Sequence, residues 1–262
     1  MRRITSLSTL VLAVAALVVA LASPATAAGV RYVALGDSYS SGVGADDYIA
    51  SSGDCDRSTN AYSQLWANAH APTSYTSVAC SGAKTSDVIN NQLSALSSST
   101  TLVSITIGGN DENFSGVMKD CNLGSDSTCV SEINAAEADA RATLPGKLDN
   151  LFGKIKSRSP IAKLVVLNYP HFYNLNNDCV GLSQTKRTKI NEGIDVLSSV
   201  LSAAASRAGA TFADVRPAFV GHEICDDNRW LHSVNFLDFG VSYHPTQDGH
   251  RNAYYPTFNR VA

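Results

Sequence analysis

The sequence is poor in charge and has no basic block. Charged residues make up 16% of its 262 residues, with 20 Lys and Arg against 23 Asp and Glu, a formal net charge of -3. A mildly acidic chain without a Lys/Arg cluster lacks the electrostatic footprint of a nucleic-acid binder and has no strong attraction to anionic membranes. No Cys-x-x-Cys pair occurs, which argues against a zinc site. Repeats, heptads and linkers are also missing. Long apolar runs are scarce. The one candidate, residues 10–22, is shorter than the ~20 residues a spanning helix needs.

What surrounds that run is informative. Arg2 and Arg3 precede it and Ala25-Thr26-Ala27 follows. A charged start, a short apolar middle and a small-residue end describe a secretory signal peptide rather than a membrane anchor, with cleavage expected after Ala27. Losing residues 1–27 removes two arginines and no acid, so the formal net charge moves from -3 to -5. Residues 28–262 then have the length of a single domain able to bury its own core. The expected location is extracellular. The six cysteines, Cys55, Cys80, Cys121, Cys129, Cys179 and Cys225, fit that location, because an even count in a secreted chain points to disulfides.

Hydrophobic periodicity places strands at 31–35, 75–79, 101–107, 163–167 and 210–215. Helical patterns fall between them, at 60–69, 85–96, 131–156 (broken near Pro145), 183–207 and 246–258. The Ser-rich stretch 94–101 reads as a surface loop. Alternating strands and helices predict an α/β protein, a central, mostly parallel sheet covered on both faces. In such a sheet the chemistry gathers at the carboxyl ends of the strands. Ser38, Gly82 and Asn110 all fall there.

Ser38 sits in Gly36-Asp37-Ser38-Tyr39-Ser40-Ser41-Gly42, directly after the apolar run Val33-Ala34-Leu35. A turn of small residues at a strand end is a way to present a nucleophile. The Gly-x-Ser-x-Gly elbow is not present, since Ser40 holds its last position. Taken alone, Ser38 reads equally as a turn or cap serine, Gly82 as a plain turn, and Gly108-Gly109-Asn110 as a tight loop. Among the six histidines, His244 stands out at a loop-to-helix junction, followed by Pro245. His232 is the runner-up and reads as structural. His222-Glu223 opens like a zinc-protease motif, but Asp226 stands where the second histidine is needed. No metal and no cofactor are expected.

Together, Ser38, Gly82, Asn110 and His244 resemble the SGNH (GDSL-type) hydrolase family, in particular its secreted actinomycete lipases, esterases and phospholipase A-type enzymes. The resemblance spans essentially the whole chain after residue 27. It implies a three-layer α/β/α sandwich, Ser38 as nucleophile, and His244 as base. It implies an oxyanion hole from the backbone N–H groups of Ser38 and Gly82 and the side chain of Asn110. It also points to sequential disulfides, Cys55 with Cys80, Cys121 with Cys129 and Cys179 with Cys225. One position departs from the family. The aspartate usually found three residues before the histidine is Val241 here. The expectation is that the main-chain carbonyl of Ser242, or failing that of Val241, accepts the His244 Nδ1 proton. Asp238 and Asp248 are the carboxylate alternatives.

The implied activity is hydrolysis of lipid carboxylic esters by a monomer that touches lipid surfaces transiently. Tyr48, Ile49, Phe114, Phe172, Tyr173, Phe236, Leu237 and Phe239 are candidates to line an acyl groove, although core packing accounts equally well for some of them. A carbohydrate esterase, a thioesterase and an inactive binding module on the same fold are the alternatives.

Overall fold

The computed structural model describes residues 29–262, so the expected signal peptide lies outside the described residues. Five strands form one sheet: β1 (Arg31–Gly36), β2 (Ser74–Ser77), β3 (Leu102–Thr106), β4 (Lys163–Leu167) and β5 (Thr211–Ala213). Their order is β2-β1-β3-β4-β5, and every pairing is parallel. β3 is buried at each position, as a strand covered on both faces must be.

Among the described residues, ten α-helical segments connect or flank the strands: α1 (Ser38–Ser41), α2 (Tyr62–His70), α3 (Thr85–Asp87), α4 (Phe114–Leu123), α5 (Asp126–Ala142), α6 (Leu144–Arg158), α7 (Gln184–Arg207), α8 (Arg216–Phe219), α9 (Gln247–Gly249) and α10 (Tyr255–Asn259). α2 and α10 pack together, and from them Trp66 and Phe258 meet Tyr32 of β1, with ring centres 5.3 and 5.5 Å away. α5, α6 and α7 pack on one another as the second helical layer. The result is a three-layer α/β/α sandwich. Among the described residues, no helix is long and apolar enough to cross a membrane.

Several elements differ from their sequence patterns for identifiable reasons. The expected helix 131–156 is two helices that part at Thr143, leaving Pro145 in the first turn of α6, where a missing N–H costs nothing. The expected helices at 85–96 and 246–258 are each interrupted by a π-helical turn, Val88–Gln92 and His250–Tyr254. The first of these turns aims buried Gln92 at the end of β1. There it accepts from the Gly36 N–H and donates to the Gly36 carbonyl, both at 2.8 Å. α4 is not among the expected helices, although Phe114, Val117, Met118 and Cys121 recur at helical spacing; its start at Asn113 has no side-chain cap. The Cys121–Cys129 disulfide fastens it to α5 instead.

Sheet order brings the site together. β1 lies between β2 and β3, so the loops leaving their carboxyl ends are neighbours. Those loops carry Ser38, Gly82 and Asn110.

Candidate active site

The serine loop begins where β1 ends. Gly36 has φ +121°, and a Cβ there would lie 2.3 Å from the Thr106 carbonyl oxygen. Only glycine lets the chain turn this close to β3. Asp37 then caps the single-turn helix α1, accepting from the Tyr39 N–H at 3.1 Å. It also accepts from the Thr106 hydroxyl at 2.6 Å and from the Tyr169 hydroxyl. Burial pushes its carboxyl up to about 6, against the pull of Thr106, Tyr169 and Tyr39. Ser40 accepts from the Thr106 N–H at 3.0 Å. That buried bond explains why a serine, and not the glycine of an α/β-hydrolase elbow, stands there.

Ser38 Oγ lies 2.7 Å from His244 Nε2. On the other side of the ring, His244 Nδ1 lies 3.1 Å from the Ser242 carbonyl oxygen, a geometry in which Nδ1–H donates to the carbonyl and Nε2 accepts from the serine. The two rival carboxylates are engaged elsewhere: Asp238 Oδ1 accepts from the Gly240 N–H at 3.2 Å, and Asp248 Oδ1 bonds Asn252 at 3.4 Å. His232 Nε2 instead bonds the Gly44 carbonyl at 2.8 Å. Its backbone exchanges bonds with the His244 segment, His232 N–H to the His244 carbonyl at 2.9 Å and Tyr243 N–H to the His232 carbonyl at 3.0 Å.

Tyr243, just before the histidine, has φ +68°. A non-glycine residue there is strained by about 1–3 kcal/mol and persists only where its surroundings hold it. They do so here. The Tyr39 hydroxyl donates to the Tyr243 carbonyl at 2.7 Å, and the Tyr243 hydroxyl bonds Asn122 and Tyr173. Burial pushes the His244 imidazole down to about 4, against the opposing pull of the Ser242 carbonyl.

Gly82 has φ +74°, and the space around it is open. Neither its N–H nor that of Ser38 has a hydrogen-bond partner among the described residues. Asn110 spends one amide N–H on the Ala83 carbonyl at 3.1 Å, which orients the side chain and leaves the second N–H available. Two residues that pattern reading missed fasten this corner. Asp111 accepts from the Thr85 N–H and hydroxyl at 2.9 and 2.7 Å, clamping the Gly82 loop to the Asn110 loop. The Tyr169 hydroxyl accepts from the Gly109 N–H at 3.2 Å and donates to Asp37, bridging the asparagine and serine loops. Asp111 directly follows Asn110, a signal that could have been weighed. Tyr169 has no signal beyond lying after a strand.

These groups line a cavity of about 150 Å³ that includes Ser38, Gly82, Asn110 and His244. An adjoining chamber of about 70 Å³ runs between α4, α5 and α7 and is mostly apolar, with Glu112 and Glu137 also in its wall. Phe114, Phe172, Ile194 and Leu197 belong to both. Of the groove candidates, Phe114 and Phe172 therefore face the cavity. Tyr173 is core, and Phe236 and Leu237 are exposed. Tyr48, Ile49 and Phe239 are not part of the cavity wall.

A parallel α/β/α sandwich in which a serine and a histidine from distant loops meet beside an apolar chamber defines a carboxylic ester hydrolase. Comparison with known proteins then places the chain: it belongs to the GDSL-like Lipase/Acylhydrolase family, whose model matches residues 34–251. It is 53% identical to Lipase 1 of Streptomyces coelicolor over 100% of this chain and 98% of that protein. Phospholipase A1 from Streptomyces albidoflavus superposes with a TM-score of 0.88 at 50% identity, covering 90% of this chain and all of the other. The extracellular lipase of Streptomyces rimosus superposes with a TM-score of 0.87 at 48% identity, covering 89% of this chain and 100% of its own.

The three disulfides of the structure are Cys55–Cys80, Cys121–Cys129 and Cys179–Cys225. The first touches the site, because the Ser81 N–H next to Gly82 donates to the Cys55 carbonyl at 3.2 Å.

Proposed function

We propose that the protein is a secreted, extracellular hydrolase of lipid carboxylic esters, with Ser38 as nucleophile and His244 as its base. The observation that carries this reading is the 2.7 Å contact between Ser38 Oγ and His244 Nε2 beside an apolar chamber. His244 takes the hydroxyl proton as Oγ attacks the ester carbonyl carbon. The N–H groups of Ser38, Gly82 and the Asn110 side chain receive the developing oxyanion. The imidazolium then protonates the leaving alcohol as the C–O bond breaks, and the acyl group stays on Ser38. Water attacks that ester with His244 again as base, releasing the fatty acid and restoring the serine. The Ser242 carbonyl selects the tautomer but, being neutral, stabilises the imidazolium less than a carboxylate would.

Phe114, Phe172 and the chamber behind them supply the apolar wall for the acyl chain. The lipase and phospholipase A1 relatives support a lipid ester as substrate; for a phospholipid the products would be a fatty acid and a lysophospholipid. Residues 1–27 act as a signal peptide in this reading, and residues 28–262 form the single catalytic domain. Three disulfides and an extracellular relative fit an oxidising destination. The protein works as a monomer that meets lipid surfaces transiently.

The test compares purified mature protein with its Ser38→Ala variant on short- and long-chain p-nitrophenyl esters and a phosphatidylcholine emulsion. Loss of about a thousandfold or more in kcat is expected in the variant. Activity that survives the substitution displaces Ser38 from its role. Wild-type activity on acetylated xylan but not on lipid esters would replace the lipid reading with carbohydrate esterase.

A further inference from the structure

The most exposed large apolar side chains near the catalytic cavity lie side by side. Leu237 is 100% exposed, Phe236 69% and Leu123 67%. Phe236 and Phe239 face Leu123 and Asn122 of α4 across a shallow groove in which Lys119 is the one charged lining residue. Single exposed apolar residues are ordinary, as Val180 and Val220 show elsewhere on this molecule, whereas neighbouring ones displayed together beside a cavity mark an interaction surface.

The loop is built to display them. Its base is closed by the Asn235 N–H donating to Ser242 Oγ at 2.8 Å. Asn235 Oδ1 accepts from the Leu237 and Asp238 N–H groups at 3.0 and 3.3 Å, and Asp238 Oδ1 accepts from Gly240. Local polar bonds thus hold the turn and leave Phe236 and Leu237 with no partner to cover them.

The patch is continuous with the entrance to Ser38. Gly240, in the same loop, lines the catalytic cavity, and so do Phe114 and Ser115 in the first turn of α4. Leu123, at the other end of α4, belongs to the patch. One helix and one loop therefore run from the patch to the cavity, and Ser242 at the loop's end holds His244 through its carbonyl.

We propose that Phe236, Leu237 and Leu123 form the docking surface by which this enzyme seats on a zwitterionic lipid surface, its cavity mouth facing the lipid. The occupant follows from what surrounds the patch. The adjoining cavity takes a lipid ester, and this rests on the reading given under Proposed function. Attraction to anionic headgroups is weak, because residues 28–262 carry a formal net charge of -5 and the groove offers only Lys119. Apolar side chains on a rigid turn partition into the headgroup boundary without needing charge.

The experiment measures partition of Ser38→Ala protein onto phosphatidylcholine vesicles by co-sedimentation, with and without Phe236→Ser and Leu237→Ser, and separately with Leu123→Ser. Partition is expected to fall at least tenfold in the loop double variant and several-fold in Leu123→Ser, and to change little when anionic lipid is added to the vesicles. In the active enzyme, the double variant should keep kcat/KM on dissolved p-nitrophenyl butyrate and show a raised apparent KM on vesicles. Unchanged partition in the double variant, or no partition of the Ser38→Ala parent, overturns the docking surface while leaving hydrolysis of the dissolved ester intact. Absence of any ester hydrolysis by wild type sinks the functional reading, and the partition series still reports on the patch. If the double variant misfolds, Leu123→Ser, which lies on a disulfide-anchored helix, decides the question.

Discussion

In the proposed mechanism His244 is the base, and its Nδ1 meets the Ser242 carbonyl instead of a carboxylate. Burial lowers its pKa to about 4, and the Ser242 carbonyl opposes that only in part. Only the neutral imidazole accepts the serine proton, so activity is held above this pKa and lost as pH falls through it. The acid limb of kcat/KM should therefore inflect near pH 4, not at the ordinary histidine value of about 6.5. Asp37, pushed up to about 6 by burial, titrates in between. The profile is best recorded for wild type, Asp37→Asn and Glu112→Gln together. An inflection near 6 that vanishes in the first variant belongs to Asp37, one near 7 that vanishes in Glu112→Gln belongs to Glu112, which burial pushes up to about 7, and one near 4 belongs to His244. A sole inflection at 6.5 or above in all three proteins would mean that the imidazole is not desolvated as the structure has it.

Among the helices, α7 carries the feature with the most direct consequence for substrate choice. Gly193 sits in its middle, where glycine costs about 1 kcal/mol relative to alanine. The reason is packing against α5. A Cβ at Gly193 would lie 3.1 Å from Ile133 Cγ2, and both residues line the apolar chamber behind Phe114 and Phe172. Gly193→Leu should fill that chamber. Turnover of p-nitrophenyl butyrate is expected to survive, while kcat/KM for the dodecanoate or palmitate ester falls by about tenfold or more, a loss of the size that changed pocket contacts produce. Parallel losses on short and long esters would show that the chamber does not hold the acyl chain.

Across the molecule, the disulfides differ in what they close. Cys179–Cys225 spans 46 residues, Cys55–Cys80 25 and Cys121–Cys129 8. Loop-closure entropy ranks their contributions at about 4, 3.5 and 2.5 kcal/mol. Replacing each pair by alanine should lower the urea midpoint in that order. Activity should follow a different order. The Cys55–Cys80 pair should cost the most kcat/KM at a temperature where all variants are folded, because the Cys55 carbonyl holds Ser81 beside Gly82. Equal activity among the folded variants would show that the Gly82 loop is positioned by the Thr85–Asp111 clamp alone.

How far the chain could be read before folding follows from the range over which each signal acts. β3 and β4 announce themselves as β-branched runs, α7 as apolar residues at helical spacing, and the α/β class as their alternation, because local propensity and periodicity are written in neighbouring residues. Ser38, Gly82, Asn110 and His244 were legible as short motifs in a recognisable order, and the structure brings all four around one cavity. Contacts between residues far apart in the chain carry no local mark. The bracing of Asp37 by Tyr169, the pairing of Gln92 with Gly36, and the apolar chamber between α5 and α7 all depend on sheet order and helix packing. α4 was overlooked for a different reason: Phe114, Val117, Met118 and Cys121 do recur at helical spacing, but Gly116 and an uncapped start at Asn113 hide a short helix that a disulfide and packing on α5 hold. Phe236 looked like a groove residue in the sequence and is a surface residue in the fold, because hydrophobicity says that a side chain avoids water, not which neighbour will cover it.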